Sequence, residues 1–186
     1  MIHPPSRTRR GPAAFVKALD QVRPGRRPAA RLRLESLEDR STPATFTVLN
    51  ADDTGAGSFR QAITDALNAT TDDSIVFEPT FFATPRTINQ MSSLPTLSAG
   101  SGALTITGPG ENLLTIQRGA GAPNFGLLIS SAPSLSISGL TMSGGNSPAS
   151  GGALQIGGTV TLDHVVLRDN RAAGPGGAIR LAFGAS

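Results

Sequence analysis

The 186-residue chain has no cysteine, no tryptophan and no tyrosine, and aromatic residues make up only 4% of it. Without thiols there is no disulfide staple, no thiolate metal site and no cysteine nucleophile, and nothing marks a redox compartment. No run approaches the roughly 18 consecutive apolar residues of a membrane-spanning helix, so no helical span is expected. Charge is sparse too, at 16%. What remains is rich in turn formers, with 22 glycines and 14 prolines, a composition that suits many short strands better than long helices. The length allows one ordinary domain plus a tail.

The net charge of +3 hides two unlike parts. Residues 1–40 hold ten Lys/Arg against four Asp/Glu, a net of +6, whereas residues 41–186 hold six against nine, a net of −3. The stretch "SRTRRGPAAFVKALDQVRPGRRPAARLRLE" is Arg- and Pro-rich and poor in large apolar residues, so residues 1–43 read as a disordered basic leader. Arginine clusters neutralise phosphates, but Phe15 is the only Phe, Tyr or Trp among them. A solvated targeting tail is therefore the simpler reading, with nucleic acid the less favoured partner. A standard secretory signal needs an apolar core of roughly 7–15 residues, and "AAFVKAL" is short and interrupted by Lys17.

Residues 44–99 read as a cap of strand, helix and strand. "TFTVLN" alternates Phe46 and Val48 with threonines, the period of a half-buried strand. In "SFRQAITDALNA", Phe59, Ala62, Ile63, Ala66 and Leu67 fall on one helical face. Ser58 followed three residues later by Gln61 fits a capping box. "DDSIVFEP" resumes the strand pattern through Ile75 and Phe77. A single amphipathic helix ahead of a β-rich body would cap an open end of that body.

Residues 100–186 carry a repeat. "GGALQI" at 151–156 returns as "GGAIRL" at 176–181, an offset of 25. Under that offset Leu135 aligns with Val160, Ile137 with Leu162, Leu140 with Val165, Met142 with Leu167, Leu154 with Ile179 and Ile156 with Leu181. The letters between them drift: Ser138 becomes Asp163, Gly139 becomes His164 and Ser143 becomes Arg168. An inward pattern that repeats while the outward one changes is expected of stacked coils. With short strands of three to five residues broken by Gly, Asn or Asp, the expected fold is all-β, a right-handed parallel β-helix of three-strand coils. Leu104, Ile106, Leu114 and Ile116 mark an earlier coil, with Leu127 and Ile129 placed like Leu154 and Ile156. From Leu104 to Leu135 is 31 residues, and the six extra are expected to loop out around Pro109 to Asn112. The glycine pairs at 151–152 and 176–177 are expected at corners too tight for a Cβ. The last strand is followed by no polar capping repeat, so the sequence reads as the amino-terminal part of a longer β-helix or a truncated frame.

Chemistry is harder to find. The only dense polar cluster on a coil is Asp163, His164, Arg168, Asp169 and Arg171. Asp163 and His164 fall at a corner and Asp169 begins the next turn, so solvated corner residues are the simpler reading. No catalytic residue, metal ligand or cofactor site is assigned. The one candidate cofactor is Ca²⁺, at Asp52 and Asp53 or at Asp72 and Asp73, and both pairs read more simply as turn residues that accept backbone hydrogen bonds. No phosphate loop, HExxH, GxSxG or zinc spacing occurs.

Three stretches resemble known families. "RLRLESLEDRSTPATFTV", through Leu34, Glu35, Leu37, Glu38, Asp39 and Arg40, resembles the leader-to-body junction of large surface proteins of environmental bacteria, which implies export by an unusual signal. "GSFRQAI" is similar to the S-L-R-E-A-I element of bacterial proteins named for the motif CSLREA, with Gly57, Phe59 and Gln61 in place of Cys, Leu and Glu. A parallel β-helix follows that element there. The "GGN…GGA" texture of residues 100–186 resembles polymorphic outer-membrane and autotransporter passenger proteins. Together these imply a secreted or cell-surface β-helix that is non-catalytic and adhesion-like or structural. Its partner would be a surface polysaccharide or another cell-surface protein. A polysaccharide lyase or hydrolase, or its amino-terminal piece, is the alternative on the same scaffold. Nucleic-acid binding through the basic arm is the third reading.

Overall fold

The computed structural model describes residues 42–182. Along the chain run β1 (Thr45–Val48), α1 (Phe59–Ala69), β2 (Asp73–Phe77), a 3-10 turn (Phe81–Ala83), β3 (Arg86–Gln90), β4 (Leu104–Thr107), β5 (Leu114–Arg118), β6 (Leu128–Ser130), β7 (Ser134–Ser143), β8 (Asn146–Ser147), β9 (Leu154–Ile156), β10 (Thr159–Arg168), β11 (Arg171–Ala172) and β12 (Ile179–Leu181). The fold is all-β apart from α1 and the 3-10 turn. The pairings among these strands are parallel. A curled main sheet runs β1-β2-β4-β7-β5-β3 with β10 added on β7, and two small sheets run β6-β9-β12 and β8-β11.

Parallel neighbours require the chain to travel back to its starting side between them, so successive passes lie one upon another. The last two passes keep a single offset of 25 in all three sheets: Leu135 lies opposite Val160, Asn146 opposite Arg171 and Leu154 opposite Ile179. The pass before is longer. Leu104 lies opposite Leu135, an offset of 31, whereas Thr115 lies opposite Thr141, an offset of 26. Five extra residues therefore sit between β4 and β5, in the turn at 108–114 that contains Pro109 to Asn112, while β7 passes both strands without interruption.

Two expectations about these passes need correction. The expected short strands are partly fused: β7 and β10 each run ten residues. Each bends in the middle, at Gly139 (φ +62°) and at His164 (φ +49°). The left-handed residue shifts the alternation by one, so that Leu135 and Ile137 before the bend and Leu140 and Met142 after it all enter the core. The second correction is a register. Leu128 and Ser130, not Leu127 and Ile129, lie opposite Leu154 and Ile156. Ile129 therefore points outward although it is apolar, and Ser130 is buried. Leu127 is buried as well, in the bend ahead of β6.

The core is the stack of inward Leu, Ile and Phe side chains between these sheets. At roughly 1.5–3 kcal/mol for each large apolar side chain fully buried, that stack is the main source of stability. Burial falls off at one end. Val160, Leu162, Val165, Leu167 and Ile179 are only partly buried, whereas Leu135, Ile137, Leu140, Met142 and Leu154, one pass earlier, are fully so.

Helix α1 lies against β1 and β2. It buries Phe59, Ala62, Ile63 and Ala66, with Leu67 partly buried beside them. Its N-cap forms only half of the expected box. Ser58 Oγ accepts from the Gln61 amide at 3.2 Å, but the Gln61 side chain donates to Asp65 at 2.7 Å instead of reaching back, and the Ser58 amide donates to the Gly55 carbonyl.

Candidate functional site

The polar cluster expected on the last pass does not converge. Asp163 and His164 stand at the bend of β10, His164 Nδ1 lies 2.7 Å from Asp163 Oδ1, and the two side chains are 73% and 70% exposed in the order His164, Asp163. Arg168 ends the other arm of the bent strand, five residues or roughly 16 Å of chain from Asp163. Asp169 is a corner residue with φ +56°, and Arg171 starts β11 on a third face, exposed. Two of the five residues thus owe their placement to left-handed corners. His164 occupies the bend where Gly139 sits one pass earlier, as its alignment with that glycine implies. Leu34, Glu35, Leu37, Glu38, Asp39 and Arg40 lie outside the described residues.

Three of the four paired aspartates accept from backbone amides, whereas Asp52 donates its own amide to Asn50 Oδ1 at 3.1 Å. Asp53 accepts from Arg60 at 2.8 Å and from the Met91 amide at 3.2 Å. Asp72 accepts from the Ala103 amide at 2.8 Å. Asp73, buried, accepts from the Ala44 amide at 2.8 Å and from Thr71 Oγ1 at 2.6 Å. These bonds tie turns to neighbouring passes, as the turn reading requires. Among the described residues no group of three or more His, Asp or Glu is placed to hold a metal ion.

Arg60, in the element resembling S-L-R-E-A-I, is a clamp. Besides Asp53 it donates to the carbonyls of Ser92 at 2.8 Å and Ser93 at 2.6 Å, tying α1 to the segment after β3. Nothing in the local sequence pairs it with residues more than thirty positions away. Glu78 caps the 3-10 turn, accepting from the Phe81 amide. That bond, then one from the Thr80 backbone, holds its carboxyl below the ordinary value of 4.5.

Two outer features emerge only from the register. The first is a face of short hydroxyl side chains. Thr45, Ser74, Thr105, Ser136 and Thr161 lie opposite one another across five strands. A second row runs Thr47, Val76, Thr107, Ser138 and Asp163. At about 4.8 Å per strand each row spans roughly 19 Å. Every residue of both rows is exposed or partly exposed. The sequence signal was the alternation in "TFTV", "LTIT", "SLSIS" and "TVTLD", which served only to find the inward residues.

The second feature is a polar cleft of about 260 Å³ lined by Glu111, Asn112, Thr115, Thr141, Val166 and Arg168. Thr115, Thr141 and Val166 are its floor, one from each of three stacked strands. The 108–114 turn forms one lip and is pinned there: Thr141 Oγ1 donates to the Glu111 carbonyl at 2.8 Å and the Gly110 amide donates to the Gly139 carbonyl at 2.8 Å. Arg168, from the expected cluster, enters this cleft without its expected companions. Comparison of the chain with protein-family models, with curated proteins and with solved structures finds no match.

Proposed function

We propose that the chain is an exported, non-catalytic right-handed parallel β-helix of the cell surface, which contacts surface polysaccharide through its hydroxyl-lined outer face. The observation that carries this reading is the pair of outward rows through Thr105 and Ser136. Such a face presents donors and acceptors at a fixed spacing, interrupted at Val76, and carries no charge apart from Asp163 at its end. Serine and threonine have little side-chain entropy to lose on contact, so a flat array of them suits a polyhydroxylated partner. The single offset of 25 in three sheets supports the β-helix, and parallel crossovers are right-handed in nearly all proteins. Export rests on the resemblance of residues 34–40, and a surface protein is the other partner considered.

The test is retention of the purified chain on a panel of insoluble polysaccharides. Replacing Thr105 and Ser136 by lysine should cut retention about tenfold while leaving the melting temperature unchanged, since both side chains face outward. Release of reducing or unsaturated sugar during the same incubation would move the reading to the polysaccharide lyase or hydrolase. No retention on any member of the panel would remove it. Intact mass of the native protein from cytoplasmic and envelope fractions tests export separately: a species outside the cytoplasm, trimmed near residue 40, is expected.

A further inference from the structure

We propose that the cleft between the 108–114 turn and β10 binds a small dipolar molecule carrying both an ammonium and a carboxylate group, the chemistry of a free α-amino acid. Its two lips bear opposite charge, Glu111 on the turn and Arg168 at the end of β10. The two are not joined to each other. Among the described residues the ion pair between an arginine and a carboxylate is that of Arg60 with Asp53. A ligand with one charge would satisfy one lip and crowd the other with a like charge. A dipolar ligand satisfies both, its ammonium at Glu111 and its carboxylate at Arg168, where a guanidinium offers two parallel donors.

The floor completes the match. Val166 is an apolar side chain 41% exposed, set beside Thr141 and Thr115 on the floor, and it lies where the aliphatic part of such a ligand would rest. Thr115 and Asn112 offer further polar groups beside it. The pinned turn means the lip need not be ordered on binding, which removes one cost of association. The volume falls below the roughly 300–1,000 Å³ of pockets for drug-sized ligands, so the occupant is one small molecule. The inference does not depend on the polysaccharide reading, because the cleft lies on the other arm of the bent strands from the hydroxyl rows.

The experiment titrates the full chain with L-alanine, following the Val166 methyl resonances by NMR, alongside acetate, ethylammonium and glucose. A dissociation constant of about 1 mM is expected for alanine, with the other three at least tenfold weaker. Arg168→Gln and Glu111→Gln should each weaken alanine binding at least fivefold without moving the melting temperature. The exchange Glu111→Arg with Arg168→Glu should restore it. Acetate or glucose binding as tightly as alanine would overturn the proposal in favour of a simple anion or sugar site. Absence of alanine binding, or indifference to either neutralisation, would overturn it outright. Should a variant fail to fold, the four ligands compared on the unaltered chain still decide.

Discussion

The amide of Gly152 donates to the carbonyl oxygen of Gly177 at 2.9 Å, and a Cβ on Gly152 would stand 2.4 Å from that same oxygen. The two glycines hold equivalent places in successive passes, yet only the first is confined. Above Gly152 lies another pass. Around Gly177 the nearest atom of the described residues that a Cβ would meet is the Asn170 carbonyl oxygen, at 3.8 Å. Gly152→Ala should therefore destabilise the fold by about 3 kcal/mol or more, the upper end of what overpacking costs. Gly177→Ala should change stability by less than about 0.5 kcal/mol. Urea denaturation of both variants checks this, and equal effects would contradict the stacking.

The register of β6 makes a second contrast. Leu128→Ala should cost about 3 kcal/mol, because Leu128 is fully enclosed and its removal leaves a cavity. Ile129→Ala should cost less than about 1 kcal/mol, although isoleucine is as apolar as leucine, because Ile129 faces outward. A larger loss at Ile129 than at Leu128 would put the strand back in the register expected from its apolar pattern.

Arg60→Met should destabilise the chain by about 2 kcal/mol, since it leaves Asp53 and the carbonyls of Ser92 and Ser93 without their charged donor. Water can replace little of what is lost, as the Arg60 and Asp53 side chains are only 17% and 18% exposed. Arg60→Lys should recover less than half of the loss, because one ammonium cannot reproduce a planar fork that reaches four oxygens. Thermal melts of the two variants would show it.

Glu78 sets a pH dependence. Its folded carboxyl titrates below the ordinary 4.5 because the Phe81 and Thr80 backbone groups bond the ionised form. A depressed acid contributes stability above its unfolded value and loses it as pH falls through the folded one. The difference in melting temperature between the unaltered chain and Glu78→Gln should therefore be constant near neutrality. It should begin to shrink as the pH drops below about 5. A gap that widens on acidification would refute the capping role. The effect is small, because the side chain is only partly buried and solvent screens it.

Much of the architecture could be read from one dimension. The period-2 alternation through Leu135 and Ile137, and again through Val160 and Leu162, and the recurrence of Gly-Gly-Ala at 25 residues name the inward side chains, because stacked passes demand equal apolar spacing. The helix at Phe59–Ala69 was legible from its apolar face for the same reason. Leu127 and Ile129 misled because "FGLLIS" has three apolar residues in a row, and alternation cannot choose between two registers there. The cap at Ser58 misled because the Ser58 amide already donates to the Gly55 carbonyl, while the Gln61 side chain bonds Asp65. The candidate sites were largely illegible. Glu111 and Arg168 are 57 positions apart, and only the five extra residues at 108–114 bring them to one cleft.

By itself, then, the sequence determined which side chains face inward wherever apolar and polar residues alternate, and how long a regular pass is, since both follow from repeating local geometry. Tertiary structure alone decided what the outer surface presents. Rows such as Thr105 and Ser136, the clamp of Arg60 and the opposed lips of the cleft each join residues from different passes, and nothing local to any one of them specifies its neighbours on the next.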